Sequence, residues 1–362
     1  MTMKEMEETG ARADGEIAVK RERVGVRCEM SAYDKLVIYE IARRRVRPGP
    51  VRRILELVGS PVDTLARWAA RSDSVMVRRV YRTVISSVEK SLRATIHASL
   101  HLYSDEDMID RFHRRGVSVG SLSDVRGLSL IDMDAVAEST RFQNATLLGV
   151  EGAALGAIAT LGTMIPCAQV AIPAIITADV AASMTLLSRS TTIIASCYGF
   201  PARDAVNLPH VLAAMAPTQL DWDEGFFLLK TAAMEELRAA GEFIRRAVTQ
   251  ASARAAQSVA SYSSERLMQR VLEETMSSET PKLLRLINAV AARLGIVLTE
   301  KEMGALIPVA GAVVNGGLNL AFHQVGHTLA KDYFREQILI ERYGRGPVHE
   351  CIRNTMARLA RQ

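Results

Sequence analysis

Aromatic side chains are scarce in this chain: Phe, Trp and Tyr make up 5% of its 362 residues. The hydrophobic share is nonetheless 48%. It is therefore carried by Ala, Val, Leu, Ile and Met, a mixture that suits close helix packing better than a β-sandwich. Cysteine is scarce too. Cys28, Cys167, Cys197 and Cys351 are scattered, and no two stand at CxxC or zinc-ligand spacing. Reduced thiols of a cytoplasmic protein are the expectation. No run of several residues alternates strictly with period two, which argues against half-buried strands. There is no GxSxG elbow and no Gly-rich loop ending in Gly-Lys-Ser/Thr, so neither that class of serine hydrolase nor nucleotide binding is expected. The first 25 residues lack the apolar core of a secretory leader. The net charge is only +5, and the basic clusters have no interleaved aromatics, so nucleic acid is not an expected partner.

What the chain does have is two long apolar, glycine-studded stretches, 149–200 and 303–330. The first carries only Glu151, Asp179 and Arg189 as charges and is divided by Pro166 and Pro173. The second has no charged side chain before Lys331, yet it holds Asn315, Asn319, His323 and His327 at successive i+4 steps. On a helix these four form one polar ribbon along an apolar rod. The expected fold is an all-α helical bundle built around these two Gly/Ala-rich segments packed together. Residues 1–28 read as a disordered tail, 29–344 as one helical domain and 345–362 as a basic C-terminal helix.

Capping signals place the other helices. Ser31, followed by Asp34 at the N3 position, opens a helix that Pro48-Gly49-Pro50 ends, with Leu36, Val37, Tyr39, Ile41 and Ala42 as its apolar contacts. Another helix spans 104–115, with three acids at its start and Gly116 as its stop. Residues 116–130 form a loop with a turn of helix near Ser121. Asp132 or Asp134 starts a helix through Ala145. The first apolar stretch folds as an αα-hairpin, helices 137–164 and 174–198, stopped by Gly199 and Pro201. Short helices follow at 206–216 and 349–362, with longer helical regions at 223–274 and 281–294.

Each apolar stretch is long enough to span a bilayer, where about 20 residues suffice. Both, however, are rich in Ala and Gly, broken by proline or polar side chains, and poor in Leu and Phe. A buried core hairpin is the preferred reading, and a hairpin in the bilayer the alternative.

The sequence resembles the EcsC family. The residues that carry the resemblance are Ile307-Pro308, Gly311-Ala312, Gly316-Gly317, Asn319, Phe322, Ala330, Tyr333-Phe334, Leu339, Glu341 and Tyr343-Gly344. Glu151-Gly152, Gly156, Gly162, Asp179 and Tyr198-Gly199 agree in the centre, and Tyr39-Glu40 and Trp68 in the N-terminal part. Val314-Asn315 stands where the family more often has Val-Gly. The resemblance implies a bacterial protein with no established chemical activity. Because the family takes its name from an operon encoding an ABC transporter, it also implies membrane association, with the membrane surface or such a transporter as partner. Localisation is expected to be cytoplasmic, peripheral on the inner face of the cell membrane.

Three candidate sites come from the residues. Glu151 and Asp179 are lone acids in apolar helices and are expected to face Asn315, Asn319, His323 and His327 as one polar pocket between the rods, because buried carboxylates need partners. Arg43, Arg44, Arg45, Arg47, Arg52 and Arg53 have no acid between residues 41 and 55 and are expected to contact an anionic membrane surface. His323 and His327, one turn apart, are the candidate metal ligands, completed by a carboxylate from Glu151, Asp179 or Asp332. The leading function is a non-catalytic, lipid- or transporter-engaging accessory protein without a cofactor. A metal-dependent hydrolase using the histidine pair and a carrier of an apolar small molecule are the alternatives.

Overall fold

The computed structural model describes residues 30–47, 83–84, 86–92, 104–141, 172–216, 223–252, 282–291, 294 and 311–362. Within these residues the chain is all-α, with eight helices of defined bounds, further helical residues at 83–84, 86–92, 282–291 and 294, two 3-10 turns and no strand.

Helix α1 (Ala32–Val46) begins where the side chain of Ser31 accepts the Asp34 amide at 3.0 Å. It ends before Pro48, which cannot donate a helical hydrogen bond. Its inner face is Val37, Ile38, Ile41 and Ala42. Leu36 and Tyr39, expected in the core, instead face outward at 48% and 38% exposure. Helix α2 (Asp105–His113) is capped by Ser104 and stopped at Gly116, whose φ of 77° is the left-handed turn that glycine tolerates. The loop that follows holds a 3-10 turn at Asp124–Gly127.

Helix α3 (Leu130–Ser139) starts two residues before the earlier of its expected positions and stops short of Ala145. Ser129 supplies the earlier cap, accepting the Asp132 amide. At the other end the hydroxyls of Ser139 and Thr140 donate back to the carbonyls of Val136 and Ala137, at 2.6 and 2.7 Å, as the chain turns away. Helix α4 (Ile172–Cys197) takes Pro173 in its first turn, where no amide is needed. Gly199, at φ 77°, ends it. A Cβ on Gly199 would lie 2.6 Å from Cγ of Arg126, so the turn and the loop after α2 interlock.

The expected 206–216 helix divides into a 3-10 turn (Ala205–Asn207), capped by Asp204, and α5 (Leu208–Met215). Helix α6 is Glu224–Ser252. Helix α7 (Gly311–Tyr343) runs unbroken for 33 residues. Helix α8 (Arg345–Ala360) starts four residues before its expected position. Gly344, at φ 84°, makes the corner, and Pro347 sits in the first turn.

Two packing relations organise these parts. Helix α7 lies against α4, closely enough that a Cβ on Gly326 would come within 2.5 Å of Leu187. Helix α1 lies against α8, whose Val348, Ile352 and Leu359 are buried in the same core as α1 and α3. Tyr198, Phe200 and Phe334 meet where α4 ends on α7, so several of the chain's few aromatics are concentrated at one junction.

Candidate functional site

The inner faces of these helices carry more charge than a core normally holds. Asp134 on α3 is 5% exposed and faces Arg335 of α7. Arg335 donates from Nε to Oδ1 at 2.7 Å and from Nη2 to Oδ2 at 2.5 Å, a bidentate fork. Tyr33 donates to the same carboxylate at 2.5 Å, and Tyr198 donates to its other oxygen. Burial pushes the Asp134 carboxyl up, but the bonds and charge of Arg335 and the two hydroxyls hold it below the ordinary range. Nη1 of Arg335 reaches on to Glu40 of α1 at 2.9 Å.

Helix α1 answers with its own arginines. Arg44 forks onto Asp332 of α7, both contacts 2.6 Å, and reaches Glu40 at 3.2 Å. Burial opposes the charge on Arg44, but the Asp332 carboxylate holds its pKa above the ordinary value. Arg45 pairs with Glu336, which also takes His349 of α8 at 3.2 Å. Tyr343 donates to Asp34 at 2.5 Å. Three sets of ion pairs and tyrosine hydroxyls, centred on Asp134–Arg335, on Glu336 and on Asp34, thus join helices α1, α3, α7 and α8 and the end of α4. Removing Arg335 would leave the Asp134 carboxylate buried without a counter-charge.

This placement divides the expected arginine cluster. Arg44 and Arg45 were assigned to a membrane surface but point inward, one turn beyond buried Ile41. Arg43 and Arg47 are exposed, and Arg52 and Arg53 lie outside the described residues. The exposed charges of the α1–α8 pair are Lys35, Arg43, Arg47, Arg353, Arg358 and Arg361, against a single acid, Glu350.

For the polar ribbon, Asn315, Asn319, His323 and His327 all stand on the continuous helix α7, and Asp179 stands on α4. Of these side chains only that of His327 is described; it is buried. Glu151 lies outside the described residues. Among the described residues there is no group of three His, Cys, Asp or Glu side chains placed to hold a metal ion.

Sequence reasoning missed a second polar centre. Lys230 of α6 is 2% exposed and donates to the Tyr333 hydroxyl at 3.0 Å, which also meets Nδ1 of His210 at 2.9 Å. Burial, then the nearby Lys230 and Arg126 charges, push the His210 imidazole well below its usual value, so it is neutral near pH 7. Arg126 stacks 4.2 Å over Phe200 and donates to the Gly199 carbonyl and to Asn207 at 2.7 and 2.9 Å. The sequence signal for these residues is weak: Lys230 and Arg335 each stand among other charged residues on long helices, a pattern that usually marks a solvated face. Burial also drives the Cys197 thiol up to about 12, leaving it unreactive.

The geometry defines an all-α protein with buried ion pairs beneath an α1–α8 pair whose exposed charges are mostly cationic. The chain belongs to the EcsC protein family, whose sequence pattern matches residues 63–339. No curated protein and no solved structure matches it. Helices α1 and α8 fall outside the matched segment. Among the described residues no helix is long and apolar enough to cross a membrane.

Proposed function

We propose that the protein is a non-catalytic accessory protein that attaches peripherally to an anionic membrane surface through its α1–α8 pair. The observation that carries this reading is the uneven exposed charge of that pair: six cations and one acid. Each basic side chain near an anionic bilayer contributes about 1 kcal/mol, and the attraction decays within a Debye length. Arg44 and Arg45 have a different part in this reading. They fix α1 to α7, so the outward cations are presented on a rigid support.

The test is flotation with vesicles of phosphatidylglycerol and phosphatidylcholine in low salt. The parent chain should float with the vesicles. Replacing Arg43, Arg47, Arg353 and Arg358 by Gln should weaken binding by up to about 1000-fold, since four contacts are removed at about 1 kcal/mol each. Circular dichroism should stay unchanged because all four side chains are exposed. Equal flotation of parent and variant would reject the reading.

A further inference from the structure

The outward side of α1 carries more than charge. At 100° per residue, Ala32, Lys35, Leu36, Tyr39 and Arg43 fall within about a third of the helix circumference. All five are exposed, and Arg47 continues the line just past the last turn. Leu36 and Tyr39 are two of only four large hydrophobic side chains exposed among the described residues. They are one turn apart in the N-terminal half of the helix, and Arg43 and Arg47 follow toward its C-terminal end. The opposite side of α1 is fixed by Val37, Ile38, Ile41 and Ala42 in the core and by the Arg44 and Arg45 ion pairs. The helix therefore cannot roll to bury Leu36 or Tyr39 internally.

We infer that α1 is an interfacial helix that inserts Leu36 and Tyr39 into the headgroup–acyl boundary while Lys35, Arg43 and Arg47 bind lipid phosphates. This rests on the peripheral-attachment reading and adds an apolar, salt-resistant component to it. The occupant is a lipid surface. The cations along the stripe complement anionic headgroups, and leucine with an amphipathic tyrosine suits the boundary, where one end of the ring is apolar and the other wet. Long basic side chains beside them can keep their charge at the phosphates while their stems cover apolar surface. Because α1 is docked on a preformed core, insertion requires no folding on binding. The surface should engage without the gain in helicity that isolated amphipathic peptides show.

The discriminating experiment compares the parent with a Leu36→Ala/Tyr39→Ala double variant on small anionic vesicles, at low salt and at 0.5 M salt, where screening leaves a Debye length of only about 4 Å. Supporting the inference, the parent keeps measurable binding at high salt. The double variant binds at least tenfold more weakly there, and both proteins have the same helicity and thermal midpoint. A Tyr39→Phe variant, which keeps the ring, should bind like the parent at high salt. If the parent binds at low salt but is stripped at high salt, or if the double variant binds as the parent does, insertion is overturned while electrostatic attachment stands. A parent that ignores the vesicles at low salt overturns both. Binding only to native membranes, abolished by prior protease treatment of those membranes, assigns the stripe to a protein partner and overturns the lipid proposal.

Discussion

Removing Arg335 would leave Asp134 buried between two tyrosine hydroxyls with no counter-charge, and would also strip Glu40 of its shorter arginine contact. Breaking a buried pair from one side costs about 3–5 kcal/mol. Arg335→Ala should therefore lower the unfolding free energy by that order in urea titrations. Tyr198→Phe removes one hydrogen bond to the same carboxylate while keeping the ring stacked on Phe334, and should cost only about 1–2 kcal/mol. A ranking in which the tyrosine change is the more damaging would mean that the network is centred elsewhere. Gly199→Ala is a different kind of lesion. It forces φ near 77° on a residue with a Cβ and drives that carbon into Arg126. A loss of at least about 1–2 kcal/mol follows from the backbone alone.

At the scale of the element, what the sequence disclosed depended on how local the cause was. Ser31, Ser104, Gly116, Gly199 and the proline pair after α1 act on their own backbone, and the helices they bound lie within a residue or two of expectation. Where a helix faces is decided by partners far along the chain, and there the reading was mixed. The period of α1 could have assigned Arg44 and Arg45 to the side of Asp34, Val37, Ile38 and Ile41, leaving Arg43 to solvent. Treating six arginines as one basic run concealed this division. The Asp134–Arg335 pair, 201 residues apart, had no local signature at all.

The joints between elements set the acid response. Glu138 of α3 bonds Lys331 of α7 and Arg141. Burial raises its carboxyl, but the hydrogen bonds and charges of Arg141 and Lys331 together outweigh it and pull it down to about 2. Its folded pKa lies below its unfolded value, so the stability it adds is complete above about pH 4.5 and lost as pH falls toward 2. His210 acts in the same direction at higher pH. It is held neutral between α5 and α7, so the unfolded chain takes up a proton below about pH 6.5 that the folded chain refuses. Stability should therefore decline as pH drops from 6.5. His210→Gln should flatten that first decline, and Lys331→Met the one between 4.5 and 2, each read from thermal midpoints across pH. Parallel profiles for parent and variants would refute the assignments.

Among the described residues the first and last helices are packed together. Val348, Ile352 and Leu359 are at most 4% exposed, and the helix that carries them lies along α1. A chain ending at residue 344 would lose three buried aliphatic side chains, each contributing about 1.5–3 kcal/mol. Their sum approaches the typical stability of about 5–15 kcal/mol. Such a chain should be recovered as aggregate, or should show no cooperative thermal transition. Recovery as a soluble protein with a sharp transition would show that α8 is an appendage.

The ion pairs that fix α1 have a consequence for biosynthesis. Arg44, Arg45 and Asp34 find their partners 288, 291 and 309 residues downstream. At about 5–20 residues per second, the ribosome needs roughly 15–60 s after making α1 to deliver them. Throughout that interval Val37, Ile38 and Ile41 have no α8 to lie against, and the arginines lack the carboxylates of α7. The nascent amphipathic, basic helix is then free to find whatever anionic or apolar surface is nearest the exit tunnel. Order of synthesis therefore leaves α1 without its partners until the end of the chain is made, and makes late truncations damaging to α1 as well as to α8.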